Sequence, residues 1–165
     1  MFGWLAIFDL EKDQTLKYVR VLKYKIKSVV FTRNNQSAYI ADWEGNIALI
    51  KWKQNSSSAD DFSTQVLTQV GNKITVAICL TKDEKNLLVG SRGLVSMINT
   101  KTSKLIIRFK LTTFVKGIEL INEGKQALIA EENGNLTIVD LETLEITQSR
   151  KNVGKGKKLM KITLI

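Results

Sequence analysis

The segment GNLTIVDL at residues 134–141 is the last of four in which a glycine precedes an apolar strand. The other three are GWLAIFDL at 3–10, GNIALIKW at 45–52 and GLVSMINT at 93–100. Their glycines stand 42, 48 and 41 residues apart. Internal similarity at a period of about 40 to 50 residues is typical of proteins built from repeated structural units. The spacing therefore predicts a chain of such units.

The similarity extends upstream of the last three glycines. KSVVFTRNNQSAYIADWEG, TVAICLTKDEKNLLVGSRG and KGIELINEGKQALIAEENG align with a single one-residue gap in the second. Each has two apolar runs separated by turn formers, and each ends in a short turn that contains glycine. This pattern predicts a strand, a polar turn, a second strand and a tight hairpin turn. Turns at this density do not show helical periodicity, which disfavours a helical array.

A more polar strand follows each glycine strand, and the four are TLKYVRVLK, STQVLTQV, KLIIRFKL and EITQSRK. Four strands per unit with an amphipathic outermost strand is the organisation of a β-propeller blade, whose inner strands are covered by neighbouring blades. The absence of proline suits such a chain, because proline lacks the donor of the strand ladder. The predicted fold class is all-β, with β-propeller blades of four antiparallel strands.

Two stretches, ALIAEENGNLTIVDLE at Ala127–Glu142 and AYIADWEGNIALIKW at Ala38–Trp52, resemble the repeats of WD-repeat and LVIVD-repeat propellers. The resemblance implies a non-catalytic scaffold that binds protein partners through the loops at its rims. Two features of WD repeats differ here. No Gly-His pair precedes the blades, and the Trp-Asp ending is replaced by Asp-Leu, Lys-Trp, Asn-Thr and Asp-Leu in the four units.

The phase of the repeat predicts how the chain is divided. Residues 1–24 supply a half blade, three blades follow at 26–70, 74–111 and 114–150, and 158–165 supplies the first strand of another blade. These parts leave a ring without all its strands, so we expect an open arc or part of a larger propeller. The missing blades would come from another chain or from the rest of the gene product.

Composition restricts the chemistry that the chain can perform. The 165 residues include no histidine and one cysteine, Cys79, so histidine-based catalytic triads and imidazole metal sites are excluded. We therefore expect no enzyme activity, and no cofactor is implied. The apolar opening MFGWLAIFDL has no basic region before it, and no apolar run reaches the roughly 18 residues of a membrane helix. These features predict a cytoplasmic location, with the nucleus left open, and no membrane span.

Propellers bind through rim loops, so the turns are where we expect partner-binding residues. Trp43 stands in a tight turn between Asp42 and Glu44, and these three residues are predicted partner contacts, because an exposed tryptophan there would be a binding hot spot. The alternative is that Trp43 folds over its own blade. Arg92 in the corresponding SRG turn is also predicted to contact a partner.

The segment RKNVGKGKK at 150–158 is a basic loop on which clustered cations could bind nucleic-acid phosphates or an anionic head group. The net charge of +9 agrees with such a ligand. The alternative is a solvated linker in a lysine-rich chain. The predicted contacts in this loop are Arg150, Lys151, Lys155, Lys157 and Lys158.

Three functions follow from these observations. The leading one is a protein-interaction scaffold. The second is a binder of an anionic surface, nucleic acid or phosphoinositide, through the 150–158 loop. The third, an enzymatic propeller fragment, would need polar residues converging in the central channel, and the apolar inner strands give it little support.

Overall fold

The computed structural model describes residues 3–9, 12–53, 61–70 and 74–153. Within them the chain forms twelve β-strands and one short 3₁₀ turn at Asn122–Gly124. The strands are β1 Gly3–Asp9, β2 Gln14–Leu22, β3 Ile26–Phe31, β4 Ser37–Asp42, β5 Asn46–Trp52, β6 Phe62–Gln69, β7 Ala77–Leu80, β8 Asn86–Asn99, β9 Leu105–Ile121, β10 Gln126–Glu131, β11 Leu136–Asp140 and β12 Glu145–Arg150.

These strands form three sheets, and within each sheet neighbouring strands pair antiparallel. β1 and β2 form a two-stranded sheet, which we call the half-blade. β3, β4, β5 and β6 form a four-stranded sheet in chain order, the first blade. The third sheet has six strands in the order β12-β11-β10-β9-β8-β7.

The six-stranded sheet contains two blades, because β8 and β9 each supply two of the strands that the repeat predicts. β8 folds back at Gly93, whose φ is +67°. Beyond the fold the Thr100 N–H donates to the Lys85 carbonyl at 2.9 Å. The matching bonds close the hairpins of the neighbouring units, from Trp52 to Gln36 at 3.0 Å and from Leu141 to Lys125 at 2.9 Å. β8 is therefore a hairpin of two arms, residues 86–91 and 94–99.

β9 changes its partner along its length. Residues 105–110 pair with the second arm of β8, and residues 115–121 pair with β10. The first part is the outermost strand of a second blade, which consists of β7, β8 and residues 105–111. The second part is the innermost strand of a third blade, residues 115–121 with β10, β11 and β12. The boundary predicted between 111 and 114 thus lies inside a continuous extended strand.

Both faces of a blade are apolar because each blade packs against a neighbour on either side. Leu5, Ile7 and Val19 of the half-blade pack against a buried cluster that includes Ile40 and Ile50 of the first blade. The opposite face of the first blade, with Tyr39 and Ile47, packs on the second blade. A third cluster joins the second and third blades, and its buried members are Ala77, Leu88, Val95, Met97, Phe109, Val115, Ile118, Ala127, Ile129 and Val139.

The outermost strands are polar, as the sequence predicts. Every residue of β12 is exposed, and most of β6 is exposed as well. The predicted fold class, all-β with four-stranded antiparallel blades and a partial blade, is confirmed for the described residues. The strand predicted at 158–165 lies outside them.

Candidate partner-binding rim

The described connections lie at two opposite ends of the blades. Because strands alternate in direction, the glycine turns after the second strand and the crossings from one blade to the next share one end. We call this end the glycine-turn rim. It consists of the turns 42–46, 91–94 and 131–135 and the crossing segments 22–25, 74–76 and 111–114. The polar turns between the first and second strands of each blade lie at the opposite rim, together with the loop 100–104.

A buried carboxylate organises the turn of the first blade. Asp42 is fully buried, and its Oδ1 accepts hydrogen bonds from the backbone N–H groups of Glu44 and Asn46 at 2.9 and 3.0 Å. The Asn46 side chain donates to the same carboxylate. Gly45 has φ +84°, a conformation that costs glycine little. Asp42, predicted as a partner contact, therefore fixes the shape of the turn from beneath the surface.

The third blade has a buried carboxylate at the equivalent position. Glu131 is 2% exposed, and its Oε2 accepts three hydrogen bonds at 2.7 Å, from the Thr112 N–H, the Thr112 hydroxyl and the Thr113 N–H. These bonds tie the crossing segment 111–114 to the top of the third blade. They are the physical reason that β9 passes from one blade to the next without a loop.

Trp43 is held at the surface of the rim. Its backbone N–H donates to the Lys25 carbonyl at 2.9 Å, and its backbone carbonyl accepts from the Ile74 N–H at 2.6 Å. The crossing segments 22–25 and 74–76 therefore both fix its backbone. The side chain is 38% exposed, and the Lys27 ammonium lies 4.8 Å from the ring centroid. Trp43 is thus exposed in this turn, and its ring lies against a cation of its own blade; that it binds a partner stays a prediction.

A second group of aromatic and charged side chains lies on the next two blades. The exposed Arg92 places its guanidinium 5.4 Å from the ring centroid of Phe114, and the Lys116 ammonium lies 5.8 Å from the same centroid. Lys116 also forms an ion pair with Glu132 at 3.5 Å. Each cation–ring contact of this kind is worth about 0.5–1 kcal/mol at an exposed site, enough to hold a side chain in place.

The charge on this rim is unbalanced. Asp42 and Glu131 are buried and accept hydrogen bonds from backbone N–H groups, and Glu132 is paired with Lys116. Within the described part of the chain, no carboxylate lies within 4.0 Å of the cationic group of Lys27 or Arg92. Glu44 is half-buried, and its carbonyl accepts from the Gln69 side chain at 3.1 Å. Among the described residues, the rim therefore presents two cations, Lys27 and Arg92, that lie beside aromatic rings and have no carboxylate partner.

The basic loop is described only at its start. Arg150 ends β12 opposite Leu136, and Lys151 follows it, so both exposed residues belong to the same end of the third blade as Glu132. Lys155, Lys157 and Lys158 lie outside the described residues. The prediction that this loop binds an anion stays a prediction.

Sequence reasoning did not find four residues of the rim, Lys27, Phe114, Lys116 and Glu132. Lys27 and Lys116 occupy equivalent positions at the start of an inner strand, and Trp43 and Glu132 occupy equivalent positions in the turn beside them. Reading the repeat alignment column by column would have paired the two lysines. The contacts of Phe114 depend on the path of the crossing segment, which periodicity does not predict.

The described residues include carboxylates and one thiol, Cys79. No group of three or more Cys, Asp or Glu residues among them could hold a metal ion. Burial raises the pKa of the Cys79 thiol to about 11, so this residue is a poor nucleophile at neutral pH. No helix in these residues is long and apolar enough to cross a membrane.

The blades and their rim define a propeller-like, all-β protein. Among 1045 matching solved chains is one titled Kuenenia stuttgartiensis Hydrazine Synthase, with a TM-score of 0.66 and 15% sequence identity. The match covers 82% of this chain and 38% of the synthase chain, so the protein spans well under half of that neighbour. The synthase has β-propeller domains, and at this identity the likeness shows the fold alone. No protein-family model and no curated protein matches the sequence.

Proposed function

We propose that this protein is a non-catalytic, WD-repeat-like scaffold that binds a protein partner through the glycine-turn rim. The observation that carries the proposal is the pairing of aromatic rings with cations on successive blades, Lys27 on the exposed Trp43 and Arg92 on the half-buried Phe114. Tryptophan and arginine are the residues most enriched among binding hot spots. The repeat resemblance adds support, as do the missing histidines, and a cytoplasmic location belongs to the proposal.

The rigidity of the turns favours a binding role. The backbone around Trp43 is fixed by the buried Asp42 and by hydrogen bonds from two crossing segments. The crossing segment 111–114, which carries Phe114, is held by hydrogen bonds to the Glu131 carboxylate. Anchor side chains on a preorganised backbone lose little entropy when a partner binds, which raises affinity.

A photo-crosslinking amino acid tests this proposal. Benzoylphenylalanine replaces Trp43 in one variant and Lys104, at the opposite rim, in a control variant. After irradiation in cells, we expect a discrete protein adduct from position 43 and none from position 104. The adduct should disappear when Arg92→Glu is added to the Trp43 variant. Adducts of equal yield from both positions, or an adduct that survives Arg92→Glu, would count against the rim as the binding surface.

A second candidate function is binding of an anionic surface by the basic loop. Its support is the exposure of Arg150 and Lys151 together with the net charge of +9. Binding to nucleic acid or to phosphoinositide vesicles should then fall steeply with salt. It should also fall in a Lys155/Lys157/Lys158→Glu variant, which leaves the Trp43 adduct unchanged.

A further inference from the structure

We propose that the partner contacts the glycine-turn rim with an acidic, extended peptide segment. Its carboxylates would pair with Arg92 and Lys27, and its apolar side chains would lie against Trp43 and Phe114. This inference rests on the proposed function and names the chemistry of the partner.

Arg92 is suited to receive a carboxylate. Its guanidinium is exposed, lies over the Phe114 ring and has no carboxylate within 4.0 Å among the described residues. The contact with the ring satisfies none of the five N–H donors of the guanidinium group, which stay available for hydrogen bonds to a partner. Guanidinium groups pair with carboxylates through two parallel N–H···O bonds, which combines affinity with a defined direction.

The third blade shows how a carboxylate meets a rim lysine. There Glu132 occupies the turn position that Trp43 holds in the first blade, and it forms an ion pair with Lys116. Lys116 is the equivalent of Lys27, which contacts a tryptophan ring instead. The first blade therefore has the cation without the carboxylate. A glutamate or aspartate side chain of the partner would complete the same pair at Lys27.

The arrangement favours a peptide over a polyphosphate or a lipid surface. Lys27 and Arg92 lie beside aromatic rings on different blades, whereas a polyphosphate gains most from a continuous cluster of cations. The rings of Trp43 and Phe114 offer apolar area that phosphates cannot use. A peptide in which acidic residues alternate with apolar residues can satisfy both kinds of group.

Two fluorescent peptide pools provide the test. Both are twelve residues long with apolar residues at alternate positions, and the other positions are Glu or Asp in one pool and Gln or Asn in the other. We expect the acidic pool to bind at least about tenfold more tightly in fluorescence anisotropy, since hydrogen bonds to charged groups are the stronger ones. Arg92→Gln and Lys27→Gln should each weaken binding of the acidic pool about tenfold. Lys104→Gln, with the same loss of charge at the opposite rim, should change it less than twofold.

Several outcomes would overturn the inference. Equal binding of the two pools would exclude carboxylate recognition, and so would acidic binding that is unchanged in Arg92→Gln and Lys27→Gln. Tighter binding of inorganic polyphosphate, or of vesicles containing phosphatidylserine, would assign the rim to phosphate ligands. If the acidic pool fails to bind while the Trp43 adduct still depends on Arg92, the inference is wrong and the proposed function stands. Circular dichroism of each variant shows that the fold is kept.

Discussion

Buried carboxylates at equivalent turn positions organise the first and third blades, but they do so in different ways. Asp42 accepts bonds from its own turn, whereas Glu131, one methylene longer, reaches the crossing segment of the preceding blade. In the second blade Ser91 occupies this position, fully buried, and its hydroxyl reaches the Leu94 carbonyl at 3.4 Å. The side chain at this position thus decides whether a turn stabilises itself or its neighbour.

Glu131 provides a test at this scale. Glu131→Gln keeps the size of the side chain and removes the charge from an acceptor of three hydrogen bonds, so we expect a loss of about 1–2 kcal/mol in the free energy of unfolding. Glu132→Gln makes the same change at an adjacent, more exposed residue and should cost less than about 1 kcal/mol. Urea denaturation measures both. Equal losses would contradict the role assigned to Glu131.

Cys79 should make stability depend on alkaline pH. Burial is the main cause that raises the pKa of its thiol to about 11, and the nearby Glu119 charge acts in the same direction. The native state therefore holds this proton more tightly than the unfolded chain does. The resulting contribution, about 3 kcal/mol, is complete below pH ~8.5 and is lost as the pH rises towards 11.

The free energy of unfolding, measured from pH 8 to 10.5, checks this prediction. The decline should be smaller in Cys79→Ala, which has no thiol to titrate. Burial also raises the pKa of Tyr39, so part of the decline should remain in the variant. An identical decline in the two proteins would show that Cys79 does not contribute.

At the scale of elements, the close approach of neighbouring blades depends on small residues in the second strands. A Cβ placed on Gly90 would lie 2.5 Å from Val115 Cγ1 and 2.9 Å from Val115 Cβ. The equivalent residues of the other blades are Ala41 and Ala130, both fully buried. The inner strand of the third blade therefore sits against the backbone of the second blade.

Gly90→Ala should destabilise the protein by about 1–3 kcal/mol through overpacking. Adding Val115→Ala makes room for the new methyl group, so the double variant should lose about 1 kcal/mol less than the sum of the single variants. Thermal or urea unfolding of all four proteins gives the coupling energy. Additive losses would mean that the two side chains do not meet.

Gly93→Ala is the matched control at this scale. Its new methyl group would lie 3.6 Å from the Leu111 carbonyl, an ordinary contact, but φ at this position is +67°. The expected cost of about 1–2 kcal/mol is backbone strain, and Val115→Ala should not reduce it.

Periodicity predicted the strands well, because a repeated turn and an alternating apolar pattern are local properties. The turn at Gly45 and the polar character of β12 follow from the residues themselves. It placed a blade boundary between 111 and 114 but gave no indication that one strand continues across it. Thr112 and Thr113 are β-branched and favour an extended backbone, and a carboxylate 18 or 19 residues further along the chain accepts hydrogen bonds from their N–H groups.

The candidate site was predicted in part for the same reason. Trp43 and Arg92 stand in turns whose position the repeat determines, so their exposure could be anticipated. Phe114 lies in a crossing segment, and its contact with Arg92 arises from packing between blades. Interactions between units are where the sequence alone gives no direct signal.

At the scale of the whole molecule, each unit depends on its neighbours for burial, so stability should vary along the chain. The first blade is covered on both faces, by the half-blade through Ile40 and by the second blade through Ile47. Among the described residues, the half-blade is covered on one face only. Its other face exposes three aromatic side chains, Trp4 at 53%, Phe8 at 48% and Tyr18 at 67%.

Native-state hydrogen exchange should show this difference directly. We expect amides of β4 and β5 to exchange at least about tenfold more slowly than those of β1 and β2, because the half-blade can open without disturbing the first blade's contacts with the second. Within the described residues β1 pairs along one edge alone, which adds to its exchange. Ile47→Ala should speed exchange in β4 and β5 and leave β1 and β2 nearly unchanged. Equal protection of all four strands would instead mean that the exposed aromatic face of the half-blade is covered in solution.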